Sequence, residues 1–298
     1  MKKVIVYFFL LVIPFVISLI YFDILKITPQ TIKFHYKNGE MIDSAPFPPS
    51  LDTIFGVDRN GNQMLFVVLE GYKTTFLIIF LVTFIVMLFS IVFGTFVAMK
   101  FQNLSIIKSI SNPFIFIPQS IIAYILLYPM IYEPIDHFKT TIEFRMFYFV
   151  LVLVLLTIPI TITLIIDVTK LELQKLYIDS AKTMTPSNFY IFLKHILPNM
   201  WQQYTIVACR MMFQTIIVIT HLAFFKLYFG GTDVCYGPAC LYIEKPIMNE
   251  LSSLVGYHFM NIGSAWWTFY SPLFAILYML MFIHLIQHKL EQIIGVRK

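Results

Sequence analysis

The chain has 298 residues, of which 59% are hydrophobic and only 12% are charged. Soluble domains average roughly 45–50% and about 25%, so this composition excludes an ordinary soluble enzyme or binding domain. The formal net charge of +5 does not by itself indicate a nucleic-acid partner. We therefore expect a membrane protein.

Six stretches of the sequence are apolar and long enough to cross a bilayer as helices. Such a helix needs about 20 residues, because lipid offers the backbone no hydrogen-bond partners. The stretches are 4–25, 74–99, 113–131, 147–166, 200–225 and 266–286. The first follows Lys2 and Lys3 as a signal peptide would, but its apolar run is too long and lacks a small-residue cleavage site. We interpret it as a retained helix and predict an all-α integral membrane protein with six transmembrane helices.

The segments between these stretches define the predicted organisation. Residues 1–25 form the first transmembrane helix, and residues 26–73 form an extracytoplasmic segment that is rich in proline and mostly irregular. A short amphipathic helix is predicted inside that segment at 58–71. Lys and Arg are slightly more numerous on the side of the two chain ends, which favours cytoplasmic N- and C-termini.

The most informative segment is 171–199, a polar-punctuated run between the predicted fourth and fifth spans. It predicts two short helices joined by a Thr-Pro turn, in which Thr185 suits an N-cap and Pro186 the first helical position. Asp179 stands beside two small residues, so the surface of another protein has room to approach. One face of the first short helix is predicted from residues at helical spacing. These residues are Leu173, Leu176, Tyr177, Ala181 and Met184.

Two ionisable residues, Arg210 and His221, lie inside the predicted fifth span. A charge near the bilayer centre costs at least about 2.5–3.5 kcal/mol, so such side chains usually face a cavity or a protein partner. We interpret them as pore-lining residues or as partners in interhelical bonds. A neutral His221 is explained equally well by packing with one hydrogen bond.

Cys235 and Cys240 flank a Gly-Pro turn signal in the last outer loop. On an oxidising face they are candidates for a disulfide, and two free thiols are an equally good interpretation. Two sulfurs are too few ligands for a metal site, so no metal is predicted.

The sequence offers no catalytic centre, because no Ser-His-Asp, paired-carboxylate or zinc-ligand pattern stands out. Residues 56–63 have the glycine spacing of a phosphate-binding loop but lack its Lys and its Ser or Thr. We predict that the chain is not an enzyme, binds no cofactor of its own and takes its energy from a partner.

Three short motifs follow one another within 171–199. They read Asp179-Ser180-Ala181, Met184-Thr185 and His195-Ile196-Leu197-Pro198-Asn199. In this order they resemble the EAA loop of ABC importer permeases, in the form found in the oligopeptide, dipeptide and nickel branch. Weaker similarities in the same order cover most of residues 52–298. The chain departs from that family in having Asp-Ser-Ala for Glu-Ala-Ala and Thr185 for a glycine.

The resemblance implies a type I ABC importer permease-like fold, with a permease core at 74–298, a coupling loop at 167–199 and an extracytoplasmic loop at 226–265. Closure of two cytoplasmic ATPases, which use ATP and Mg²⁺, would push on the coupling loop and switch the pore between inward and outward access. Residues at the ATPase contact or at the bend would be Asp179, Ser180, Ala181, Met184 and Thr185. Residues joining the second loop helix to the fifth span would be His195, Leu197 and Pro198.

The implied function is import of peptides or similar small solutes, metal chelates included, across the bacterial cytoplasmic membrane by alternating access. The implied partners are a second homologous permease, two ABC ATPases, an extracytoplasmic solute-binding protein and the lipid bilayer, with no nucleic acid. Two other functions stay open, a permease-like sensor or scaffold subunit and an ion-coupled secondary carrier. The carrier would need intramembrane acids, and the predicted spans have none away from their ends.

Overall fold

The apolar stretches form long helices in the computed structural model, which describes residues 2–37, 40–101, 117–135, 137–184, 187–236 and 244–296. The α-helices are α1 (Lys2–Ser18), α2 (Met64–Lys100), α3 (Gln119–Ile131), α4 (Ile142–Leu173), α5 (Leu176–Met184), α6 (Asn188–Ile191), α7 (Leu197–Asn199), α8 (Trp201–Phe224), α9 (Leu251–His258) and α10 (Trp266–Val296). A π-helical segment, Leu19–Ile24, continues α1, and a second one, Phe192–Ile196, joins α6 to α7. A 3₁₀ turn, Phe259–Asn261, follows α9.

The coarse prediction of a mainly helical, multi-pass membrane protein is confirmed. Within the described ranges, five helices are long and apolar enough to cross a bilayer: the first with its π-helical continuation, α2, α4, α8 and α10. The predicted third span, 113–131, is described only from residue 117, where it contains the 13-residue helix α3. Residues 102–116 lie outside the described part, so the count of six spans stays a prediction.

The direction of each helix gives the bundle two distinct ends. Near its end, α2 places Gly94 against Ile165, which is also near the end of α4. Leu81, at the middle of α2, and Met146, near the start of α4, line one cavity. Residues farther along α2 thus meet residues farther along α4, and the two helices run in the same direction. We call the end that carries residues 174–184 and 187–200 the loop end.

The first and last helices run antiparallel to each other. The Tyr278 hydroxyl donates to the Leu10 carbonyl at 2.8 Å, and the rings of Tyr7 and Phe282 lie 6.4 Å apart. Ile294, near the end of α10, lines a cavity with Glu172 and Lys175, so both described chain ends lie at the loop end. The opposite end, which carries residues 25–37, 40–63, 225–236 and 244–265, is called the far end.

One predicted element is wrong. Residues 58–71 do not form a separate short helix, because from Met64 onward they are the first turns of the 37-residue helix α2. Helix α2 continues through Gly71. The glycine makes room for α9, because a Cβ at Gly71 would lie 3.1–3.3 Å from atoms of Leu251 and Leu254.

The far end is more ordered than the sequence predicted. The proline-rich segment contains an antiparallel pair, β1 (Phe34–Lys37) and β2 (Glu40–Ser44). It also folds over the start of α10, where the Trp267 indole N–H donates to the Val57 carbonyl at 3.0 Å. Gly56, with a φ of +73°, allows this approach, because a Cβ there would lie 2.6 Å from the Trp267 ring.

A second antiparallel pair, β3 (Thr232–Val234) and β4 (Glu244–Pro246), is tied to the loop after α3. The Glu133 carboxylate accepts from the Val234 N–H at 2.8 Å and bonds His137 Nδ1 at 2.9 Å. Burial alone would raise the pKa of this carboxyl, but the bonds from Val234 and His137 outweigh it and lower the pKa of Glu133. The Tyr132 hydroxyl donates to Glu244 at 2.7 Å, which holds β4 in place.

The two described cysteines lie in different parts of the fold, one in a long helix and one at the far end. Cys209 is a free, buried thiol in α8, and Cys235, just after β3, is disulfide-bonded. Its predicted partner, Cys240, lies outside the described residues.

A close approach of two helices at the far end yields a stability prediction. A Cβ at Gly256 in α9 would overlap the Ala223 carbonyl oxygen at the end of α8, so we expect Gly256→Ala to destabilise the fold by about 1–3 kcal/mol. Thermal unfolding in detergent measures this. Gly263→Ala is the matched control, because a Cβ at Gly263 meets no atom within 4 Å. Equal melting temperatures for the two variants would contradict the assigned contact.

Candidate functional site

The loop between α4 and α8 is anchored by an apolar inner face. Ile178 and Ala181 of α5, with Ile191 and Ile196 of the second loop helix, are 0–4% exposed. They pack with Met200 and other apolar residues at the loop ends of α4 and α8. The two short helices thus form a folded unit fixed to the bundle.

The outer face of the loop differs from the predicted one. Leu176 and Met184 are 85% and 87% exposed whereas Ala181 is 4% exposed, so the prediction that they share one face is wrong. Helix α5 instead buries Ile178 and Ala181, which are three residues apart on one face. This orientation turns Leu176 and Met184 away from the bundle.

The small-residue motif is divided between the two faces. Asp179 and Ser180 are exposed, whereas Ala181 is 4% exposed and faces the core of this chain. Ala181 is therefore unavailable for the direct contact that the resemblance implied. Phe189, on the second loop helix, is 70% exposed and adds to the apolar outer surface.

A buried carboxylate, missed by the sequence reasoning, closes the start of the loop. Glu172, in the last turn of α4, is 3% exposed. Its oxygens accept from the Tyr177 hydroxyl at 2.6 Å and from Lys175 Nζ at 2.8 and 2.9 Å. Burial and the hydrogen bond to Glu172 raise the pKa of Tyr177 to about 12. A Glu followed by Lys three residues later and Tyr five residues later was the available signal.

The end of the loop leads directly into α8. The Asn199 side-chain amide donates to the His195 carbonyl at 2.7 Å, and the His195 ring lies 6.1 Å from that of Tyr190. Pro198 stands at the start of α7, as its missing N–H allows, and Leu197 is half-buried against the loop core. Thr185, the predicted bend, lies outside the described residues.

A polar stripe runs along α8. Its members lie at intervals of seven or four residues, and therefore on one helix face. They are Gln203, Arg210, Gln214 and His221. None of them is buried in this chain, although α8 is one of the candidate membrane spans.

Arg210 forms an ion pair between two helices. Its Nη2 lies 3.4 Å from Glu291 Oε1 on α10, and both side chains are 40% or more exposed. Of the two alternatives open for Arg210, the interhelical bond is therefore present. A cavity of about 280 Å³ beside the pair is lined by both residues and by Gln203.

The far half of the stripe meets the start of α3. Gln214 donates to the Gln119 side-chain oxygen at 2.7 Å, and His221 Nδ1 lies 3.4 Å from the Ser120 hydroxyl. These residues line a cavity of about 340 Å³. The sequence reasoning found His221 but missed Gln119, Ser120 and Gln214. The signal was present, because Gln214 follows Arg210 by four residues.

Within the described residues, no group of three or more His, Cys, Asp or Glu side chains could hold a metal ion. Comparison of the sequence with protein-family models finds no matching model, and comparison with the curated proteins finds no match. The candidate site is therefore defined by its own contacts.

The Glu172 cluster predicts local stability of the loop. Glu172→Ala removes the acceptor of bonds from Tyr177 and Lys175, and bonds to charged groups contribute about 1.5–3 kcal/mol. We expect backbone hydrogen exchange in 176–199 to accelerate about tenfold or more, as measured by mass spectrometry. Asp179→Ala is the control, because the Asp179–Lys182 pair is exposed and such pairs contribute little. Equal exchange in both variants would contradict the clamping role of Glu172.

Proposed function

We propose that this chain is the permease subunit of an ATP-driven ABC importer that moves peptides or similar small solutes across the bacterial cytoplasmic membrane. The observation that carries the proposal is that α8 connects two exposed surfaces, each of which lacks a partner suited to its chemistry. The apolar outer face of the loop precedes its first turn, and the polar stripe runs along its side. Each surface needs a different partner.

The loop surface supports a contact with a cytoplasmic ATPase. Leu176, Met184 and Phe189 expose large apolar side chains at the loop end, while Asp179 and Ser180 lie beside them. Exposed apolar patches on an otherwise folded unit mark interaction sites. A force applied there reaches α4 through Glu172 and α8 through the apolar inner face of the loop.

The polar stripe supports a path shared with a second permease. Lipid cannot solvate Arg210, Gln214 or His221, and a charge near the bilayer centre costs at least about 2.5–3.5 kcal/mol. Pairing of this face with a homologous subunit across an aqueous path would hydrate these side chains. Movement of the loop would then move α8 and alter access to the path.

Energy for such movement comes from partner subunits in this proposal. The glycine-containing turn at 56–63 is not suited to a nucleotide, because the Asp58 carboxylate already accepts from the backbone N–H groups of Asn60 and Asn62 at 2.9 and 2.7 Å. A carboxylate in that position repels phosphate. An extracytoplasmic binding protein would deliver the solute to the far end.

Gentle purification of the tagged chain from its native membrane tests the proposal. We expect two ABC ATPases and a second permease to copurify. Met184→Arg places a charge in the proposed ATPase contact and should reduce the retained ATPase about tenfold. The matched control is Met260→Arg, because Met260 is 78% exposed but lies at the far end, and it should retain the ATPase.

The outcomes separate the proposal from its rivals. Absence of ATPases from the native preparation, or unchanged retention in Met184→Arg, contradicts the ATPase contact. Copurifying ATPases without ATP-dependent peptide uptake by the reconstituted complex would favour a sensor or scaffold subunit. Uptake that persists without ATPases would favour a secondary carrier.

A further inference from the structure

A polar cavity of about 270 Å³ opens at the far end, away from the loop and the stripe. Three parts of the chain form its walls: the segment after α1, the turn at 58–63 with the start of α2, and β4 with α9. Five of its lining side chains are carboxamides. They are Gln30, Asn60, Asn62, Gln63 and Asn249.

The floor of the cavity is rigid. Asp58 is 6% exposed, and its carboxylate accepts from the Asn60 N–H, the Asn62 N–H and the Asn62 side-chain amide at 2.7–3.0 Å. These bonds occupy both oxygens of Asp58. Asp58 therefore shapes the turn and is not free to bind a solute.

Two other charged groups lie on different walls of the cavity. Glu70, on α2, accepts from the Asn249 amide at 3.0 Å through one oxygen, which leaves its second oxygen directed to no described donor. Lys245, on β4, is exposed and forms no ion pair within 4 Å with another described residue. Asp233 is its cross-strand neighbour.

The imidazole in the wall adds no charge at neutral pH. His258 is 4% exposed, and burial, with Arg59 and Lys226 nearby, lowers the pKa of His258 to about 4. Glu70 and Lys245 are thus the anionic and cationic groups available to a solute. The carboxamides between them offer donors and acceptors together.

We infer that this cavity binds a short zwitterionic peptide, with its amino group at Glu70, its carboxylate at Lys245 and its amide at the carboxamide side chains. Charge-assisted bonds at both ends would fix its orientation. The volume lies just below the roughly 300–1,000 Å³ of drug-sized sites, which suits a dipeptide. The cavity would be the outer receiving site of the proposed permease. The inference therefore rests on the proposed function, although peptide binding itself needs no ATPase.

Calorimetric titration of the full chain in lipid nanodiscs with alanyl-alanine tests the inference. We expect the free dipeptide to bind, and N-acetyl and C-terminal amide derivatives to bind about tenfold more weakly, because each cap removes one charge. Glu70→Gln should weaken alanyl-alanine about tenfold and abolish the penalty of the acetyl cap. Lys245→Met should do the same for the amide cap.

Matched controls come from the same end of the bundle. Glu143→Gln and Lys139→Met alter exposed charges outside the cavity and should leave binding unchanged. No heat of binding, equal affinity for capped and free dipeptides, or equal losses in the control variants would overturn the inference. Binding without ATP-driven uptake would contradict the permease while leaving the site intact, and uptake without binding at Glu70 and Lys245 would do the reverse.

Discussion

The arrangement of the loop end depends on the buried Glu172 carboxylate. A charged group at 3% exposure is costly unless its hydrogen bonds are satisfied, and here the Tyr177 hydroxyl and Lys175 satisfy them. This requirement fixes the first residues after α4 in one conformation. The exposed face of α5 is consequently held at a set angle to the bundle, which a lever contacted by another protein requires.

The bilayer places a separate constraint on the polar side chains of α8. A helix in lipid tolerates polar side chains only where protein or water meets them. Arg210 and His221 each meet one such group in this chain, Glu291 and Ser120, yet remain exposed. The exposed parts of these two side chains face away from this chain and need water or another protein for their hydrogen bonds. Helix α8 therefore connects an exposed apolar loop surface with an exposed polar stripe, and in the proposed complex the partner subunits would cover both.

The sequence predicted what depends on periodicity and length, and missed what depends on tertiary contact. The apolar stretches around α2, α4, α8 and α10 follow directly from hydropathy. The predicted face of α5 was wrong because helical spacing alone does not show which apolar residues are buried. Leu176 and Met184 are apolar, but the residues that pack against the bundle are Ile178 and Ala181. The continuity of α2 through Gly71 was missed because only the approach of α9 explains that glycine. Gln119 and Gln214 are neutral and 95 residues apart, so no local pattern pairs them.

The two ends of the molecule are joined by one uninterrupted helix. Helix α2 runs 37 residues from Met64 to Lys100, about 55 Å at 1.5 Å per residue, and its second turn carries Glu70 at the far-end cavity. At its loop end, Gly94 lets α2 approach α4 so closely that a Cβ would lie 2.9 Å from Ile165. Close-packed helices transmit displacement because their interface resists compression. In the proposed permease, a displacement at the far-end cavity would therefore reach α4, whose last turn contains Glu172, and a displacement of the loop would reach the cavity by the same contacts.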